Sequence, residues 1–359
     1  MTFLVRLYRE IWGRVISATS LNEETHNAYR KLFVFFSLLI FVPNLMWIHQ
    51  IPDLLFNPPK LSFVALFSGF PNHFFLLLFH IIVVFSLILI GLNKYKREVG
   101  ILCFISLIVL SGFKYSFGKI DHIILYPFAV LCLSLTNWRP INSTQTKRSL
   151  LPIPGETLLA IFIGFGMFTA GILKAYNWVD FDTEYSGFLG WFYPGYYNMG
   201  RTHLFADVIF YLPEILIESL DYFAVLFELS PFLFLLTGKK TFWKIWVVLA
   251  CFFHLSNTAL LNIPFTYHLL VFLLFVLPIS LVKLINNISN RVFTYSIFFI
   301  GFIQIGLLIA YEQPMIDLLF ADSQSRIYID FILWLLVYLV GLWNLIEIFK
   351  NRRLSNTHV

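Results

Sequence analysis

Long apolar runs alternate along the chain with short polar breaks, at a spacing that suits membrane-crossing helices. Ten runs stand out, near residues 32–50, 71–92, 100–117, 122–137, 155–174, 210–237, 244–261, 265–283, 293–311 and 327–348. Period-two alternation with regular turn signals is missing, and only helices or closed barrels satisfy their backbone in lipid, so the pattern predicts helices. The sixth run is too long for one crossing. It carries Pro213, Glu214, Glu218 and Asp221, and is expected to begin as an interfacial helix and enter the bilayer near Tyr222. Residues 1–30 lack the charged, apolar and small-residue order of a cleavable signal and read as an amphipathic interfacial helix followed by a polar turn. The expected fold is an all-α integral membrane protein, a polytopic bundle of about ten transmembrane helices with an N-terminal interfacial helix. Its linear division is an interfacial helix over 1–30, a main transmembrane domain over 31–285 and a two-helix extension over 286–359.

Composition supports this class and narrows the partners. The chain is 59% hydrophobic and 13% charged, with a mean hydropathy of +0.79, so a lipid bilayer is its expected surroundings. A net charge of +5 raises the question of nucleic acid, but the basic residues gather at the ends of apolar runs, where topology explains them and no nucleic-acid partner is implied. With the N-terminus in the cytoplasm, all of the 25 lysines and arginines except Lys60, Lys114, Lys119, Lys174, Arg201 and Arg326 fall on cytoplasmic segments. Both termini are then cytoplasmic, and the outer loop from about 175 to 209, rich in Trp, Tyr and Gly, is expected to pack as a lid at the interface. Cys103, Cys132 and Cys251 lie in apolar runs without close pairing, which indicates neither a disulfide framework nor a cysteine zinc site.

Topology also orders the unusual polar residues. The fifth run ends outside with Lys174; the fourth begins there with Asp121, His122 and Tyr126; the sixth carries Glu228; the seventh ends with His254 and Asn257; the eighth begins with Thr266, Tyr267 and His268. Ionisable and amide groups from these runs reach one outer half of the bundle, where uncompensated charge is costly and usually functional. Gly171 and Ala170, three and four residues before Lys174, leave room on its face for a ligand or a close helix. Lys174 in a poorly hydrated pocket is a base or nucleophile; the plainer alternative is a snorkelling lysine with Trp178 as an interfacial anchor. His254 and Asn257 share a helix face and suit either a polar headgroup and proton relay or an ordinary interhelical hydrogen bond. Asp121 reads equally as a helix cap, and Glu228 either pairs with Lys174 or a histidine or stays protonated and hydrogen-bonded. His122, His254 and His268 show no local ligand spacing, so no metal is expected; His49, His73, His80 and His203 read as border or packing residues. No P-loop, dinucleotide-binding glycine pattern or nucleophile elbow is present.

The stretches FTAGILKAYNW, DHIILY, LFELSPFLFL and FFHLSNTALLNIPFTYHLLVFLLFVLP resemble, in that order, parts of the vitamin K-dependent gamma-glutamyl carboxylase and its bacterial relatives, the HTTM (horizontally transferred transmembrane) family. The resemblance covers roughly residues 1–285 and centres on Ala170, Gly171, Lys174, His254 and Asn257. It implies that Lys174 is the base that deprotonates a reduced quinone, a vitamin K or menaquinone hydroquinone, that His122 and His254 orient groups or relay protons, and that Asn257 holds a polar oxygen. It places an acidic residue of the family at Glu228, and puts Asp121 where an asparagine is expected. The implied site faces outward, and Tyr126, His268, Gly171 and Trp178, which the topology brings to the same outer half, are read as further pocket residues. The family also contains a bacterial membrane protein required for maturation of a secreted toxin peptide, so a secreted peptide or protein on the outer face is an alternative partner. The large extramembrane portion of the eukaryotic carboxylase has no counterpart here, which suits a bacterial inner membrane.

Overall fold

A computed structural model of the chain describes residues 3–60, 62–117, 122–140, 153–180, 186–319 and 323–356. Helices α1 (Phe3–Thr19), α2 (Glu23–Leu39), α3 (His73–Gly91), α4 (Lys96–Tyr115) and α5 (Leu125–Leu135) come first. They are followed by α6 (Gly155–Trp178), α7 (Gly187–Tyr193), α8 (Glu214–Leu229), α9 (Pro231–Leu236) and α10 (Lys240–Leu261). The order closes with α11 (Thr266–Val276), α12 (Ile279–Asn287), α13 (Asn290–Tyr311), α14 (Met315–Leu319) and α15 (Ser323–Asn356). Among the described residues the only strand-like pairing noted is an isolated bridge between Asn57 and Phe117. Helices α3, α4, α6, α10, α13 and the Gln324–Asn351 part of α15 are each long and apolar enough to cross a membrane. The protein is therefore an all-α, polytopic integral membrane protein.

Every predicted apolar run is largely helical, but not every run is one continuous crossing. In the first, α2 ends at Leu39 and the chain continues through Pro43 to a short turn over Met46–Gln50; proline offers no N–H to extend a helix. The fourth holds α5, whose 11 residues span about 16 Å against the roughly 30 Å of a hydrocarbon core. The sixth is split at Ser230 between α8 and α9, with Pro231 opening the second piece. The eighth is broken at Leu277–Pro278, where Leu277 turns extended as a residue before proline does, and α11 with α12 counts as a seventh crossing only if taken together. The polar turn expected after the N-terminal helix is confined to Ser20–Asn22. Asn22 accepts a hydrogen bond from the Thr25 N–H and Glu23 and Glu24 occupy the first turn of α2, favourable placements that make residues 23–30 helical.

Packing groups the chain into two compact units, each discontinuous in sequence. The first comprises Met1–Ser20, Ala160–Pro278 and Asp322–Val359; the second comprises Leu21–Leu159 and Ile279–Ala321. In the second unit α3 packs on α2, α4 and α13, while α12 packs on α2. Gly91 lies against Val34 and Ile297, and Gly301 against Ile88, so small residues let these helices approach. Three of its buried polar side chains find backbone partners. The Arg30 guanidinium donates to the carbonyls of Ile90 and Gly91, and Lys31 Nζ lies 3.0 Å from the Ile288 carbonyl and 3.4 Å from that of Ile285. His80, as a packing residue, has Nδ1 2.7 Å from the Leu76 carbonyl and Nε2 3.0 Å from that of Pro43.

In the first unit α10 is flanked by α15, where Gly341 meets Val248, and by α11, α9 and α1. The described part of the 175–209 loop has a small core of its own, in which Phe188, Phe192, Ala206 and Ile209 pack with Ile217 of α8. Two polar residues fasten it. Asp221, fully buried on α8, accepts hydrogen bonds from Ser186 Oγ at 2.8 Å and from the N–H groups of Gly187 at 3.0 Å and Phe188 at 2.8 Å, capping α7. Asn262 ends α10 at φ +48°, and its amide bonds both the N–H and the carbonyl of His203 at 2.7 and 3.0 Å.

Candidate functional site

The candidate site lies in the first unit and begins with a close helix approach. A Cβ on Gly171 would come within 3.0 Å of Glu228 Cβ and 3.1 Å of the backbone at Glu228 and Leu229, so α8 rests directly on the glycine face of α6. The space expected beside Lys174 is therefore filled by a helix. One turn on, Lys174 Nζ donates to Glu228 Oε1 at 2.6 Å. The carboxylate side chain is 5% exposed and the lysine 24%, so this is a largely desolvated ion pair. Glu228 sits at the end of α8 because Pro231 interrupts the helix; Ser230 Oγ donates to the Phe227 carbonyl and accepts from Trp246 Nε1 at 2.9 Å, holding that end. The lysine nitrogen stands 4.9 Å from the Trp178 ring and 5.7 Å from the Phe253 ring, within cation–π range of both. Glu228 Oε2 is buried without a hydrogen-bond partner among the described residues.

Phe253 leads from this pair to a second cluster, since its ring is 5.7 Å from that of His254. His254 is stacked on Trp334 at 4.9 Å and surrounded by Phe265, Phe272 and His268 at 4.6, 5.4 and 5.3 Å between ring centres. All but Phe265 are buried. The Thr266 hydroxyl donates to Asp330 Oδ1, while Asp330 Oδ2 and Trp334 Nε1 are buried without hydrogen-bond partners among the described residues.

Comparison with protein-family models, curated proteins and solved structures finds no match.

The residues singled out in the sequence thus separate into groups. Lys174, Glu228, Gly171 and Trp178 meet at one point, and His254 and His268 at a neighbouring one, joined through Phe253. Asn257 is half-buried a turn beyond His254 on α10, where its carbonyl receives the N–H of Asn262. Tyr126 belongs to the second unit and is buried against Phe33, the rings 5.5 Å apart and nearly parallel. His122 opens a short turn to Ile124; its side chain and the whole of Asp121 lie outside the described residues.

Sequence reasoning passed over Asp330 and Trp334, which α15 brings against His254 although the last run reads as an extension. The missed signal was a single carboxylate inside the apolar run IYIDFILWLL, the same signal that singled out Glu228. Asp221 was noticed only as a sign of interfacial helix, and its role as a cap depends on a loop 33 to 35 residues away.

Proposed function

We propose that this chain is an HTTM-type membrane enzyme, related to the membrane part of the vitamin K-dependent gamma-glutamyl carboxylase, in which Lys174 acts as a base on a reduced quinone or a similar lipophilic hydroxyl compound. The observation that carries this reading is the 2.6 Å contact between Lys174 and a buried carboxylate beside two aromatic faces. Such a pair suits a proton-transferring amine: once the ammonium has given up its proton to the relay, the neutral Lys174 takes a proton from the bound hydroxyl and Glu228 holds the ammonium that results. A hydroquinone would supply a weakly acidic hydroxyl on a flat ring, and Trp178 and Phe253 present faces suited to such a ring. His254, walled by aromatics and close to His268, is the relay by which the proton leaves, and Asn257 holds a polar oxygen of the substrate. The Lys and Arg distribution supports cytoplasmic termini and an outward-facing site, in a bacterial inner membrane.

Titration of reduced menaquinone into the purified protein in lipid discs, with and without oxygen, tests the assignment. Saturable binding with oxygen-dependent oxidation that disappears in Lys174→Ala is expected. No binding by either form moves the assignment to a non-catalytic factor for maturation or export of a secreted peptide, with Lys174 as a peptide-binding cation.

A further inference from the structure

The second unit contains a cluster that the site above does not involve. His49 lies in the short turn after α2, His73 opens α3, and Glu312 follows the last residue of α13. Each oxygen of the Glu312 carboxylate faces one imidazole: Oε1 is 3.3 Å from His73 Nε2 and Oε2 is 3.7 Å from His49 Nε2. The two rings are 5.2 Å apart and nearly perpendicular. Glu312 reaches this position with φ +57°, a left-handed conformation that a glutamate adopts only when its surroundings hold it there.

Proton bookkeeping at His49 decides what the cluster needs. Nδ1 lies 2.6 Å from the Met46 carbonyl, which can only accept, so Nδ1 carries a hydrogen. A neutral His49 then presents a lone pair to a carboxylate oxygen, and two acceptors facing one another repel. His73 Nε2 is shielded from solvent and makes no hydrogen bond among the described residues. Protonation turns the His49 contact attractive and makes the His73 contact, which a neutral Nε2–H can already form, charge-assisted. Among the described residues no group of three His, Cys, Asp or Glu is arranged to hold a metal ion.

We propose that His49, His73 and Glu312 form a proton-operated clamp. With the imidazoles protonated it ties the α13–α14 junction to the start of α3 and to the 46–50 turn; with them neutral the His49 contact turns repulsive and the junction loosens. The release stays local because the Met315 N–H is independently held by Gln304 Oε1 at 3.0 Å, and Gln304, fully buried, also bonds the Leu38 carbonyl.

Hydrogen exchange of the peptide covering residues 311–319, compared between wild type and Glu312→Gln at the same pH so that the intrinsic rate cancels, tests the clamp; His73→Gln replaces that variant should it fail to fold. At about pH 5 the wild type is expected to exchange roughly fivefold more slowly than the variant, and at about pH 8 the two are expected to be equal. An equal ratio at both pH values overturns the proposal. So does stoichiometric Zn²⁺ binding at about pH 8 that His73→Gln abolishes, which would make the cluster a metal site instead.

Discussion

Lys31 in the second unit and Lys174 in the first each stand at one end of an apolar run, each beside an aromatic face, Lys31 at 5.9 Å from Phe293 and Lys174 at 4.9 Å from Trp178. Their partners differ. Lys31 is 4% exposed and points at the carbonyls of Ile285 and Ile288, near the C-terminus of α12, where the helix dipole and unsatisfied carbonyls favour a cation. Carbonyl oxygens take no proton, so this contact offers no second group to which a proton could pass, and it serves to join helices. Lys174 faces a carboxylate, a group that can itself take up a proton, so this contact has a second proton-accepting member where the Lys31 contact has none. The contrast shows that a buried lysine becomes a candidate for chemistry through the titratability of its partner rather than through its depth.

Removing one member of the Lys174 pair is the most severe way to break the comparison. Glu228→Gln should preserve the shape of the site and lower quinone-dependent turnover by on the order of 100-fold or more, read from oxidation rates in lipid discs. Lys174→Ala should abolish that turnover and destabilise the protein by about 3 kcal/mol, because a buried carboxylate loses its cation, a loss read from the thermal midpoint in detergent. Restoring stability in the double variant Lys174→Met with Glu228→Leu, without restoring turnover, would separate the structural part of the pair from the chemical part. Unchanged turnover in Glu228→Gln would sink the proton-transfer role of the carboxylate.

A milder test acts on the approach that creates the pair. Gly171→Ala places a methyl group against the α8 backbone and should cost about 1 to 3 kcal/mol, with turnover reduced as the lysine and glutamate move apart; an unaltered melting midpoint would show that α8 yields freely there. The smallest effect is expected at the other lysine. Lys31→Met should cost about 1 kcal/mol by leaving the α12 carbonyls without their donor, and quinone handling should be unaffected. A loss of turnover in that variant would erase the distinction drawn between the two cations.

The features legible in the sequence were those that depend on neighbours along the chain. Apolar runs above a threshold length and the small residues one turn before Lys174 are local patterns; the runs placed the helices, while the small residues left a ligand and a close helix equally open and the Asn22 cap went unread. The same patterns could not tell a crossing from a broken run, because whether Pro43, Pro231 or Pro278 ends a helix or only bends it depends on what satisfies the freed backbone groups. At Leu277 it is the Asn344 amide, 67 residues away, that donates to the carbonyl at 2.9 Å. Which of the partners open to Glu228, Lys174 or a histidine, it meets was likewise decided only when the lysine, 54 residues away, was seen at hydrogen-bond distance.

By itself the sequence determined that this is a helical membrane protein and which residues are too polar for their surroundings, since transfer from water to lipid depends on residue type and run length alone. Which of those polar residues meet was decided only by tertiary structure. Depth in the bilayer says nothing about angle around a bundle, and that angle comes from packing: Gly171 against α8 sets Lys174 on Glu228, and α15 against α10 and α11 sets Trp334 on His254 and Asp330 on Thr266.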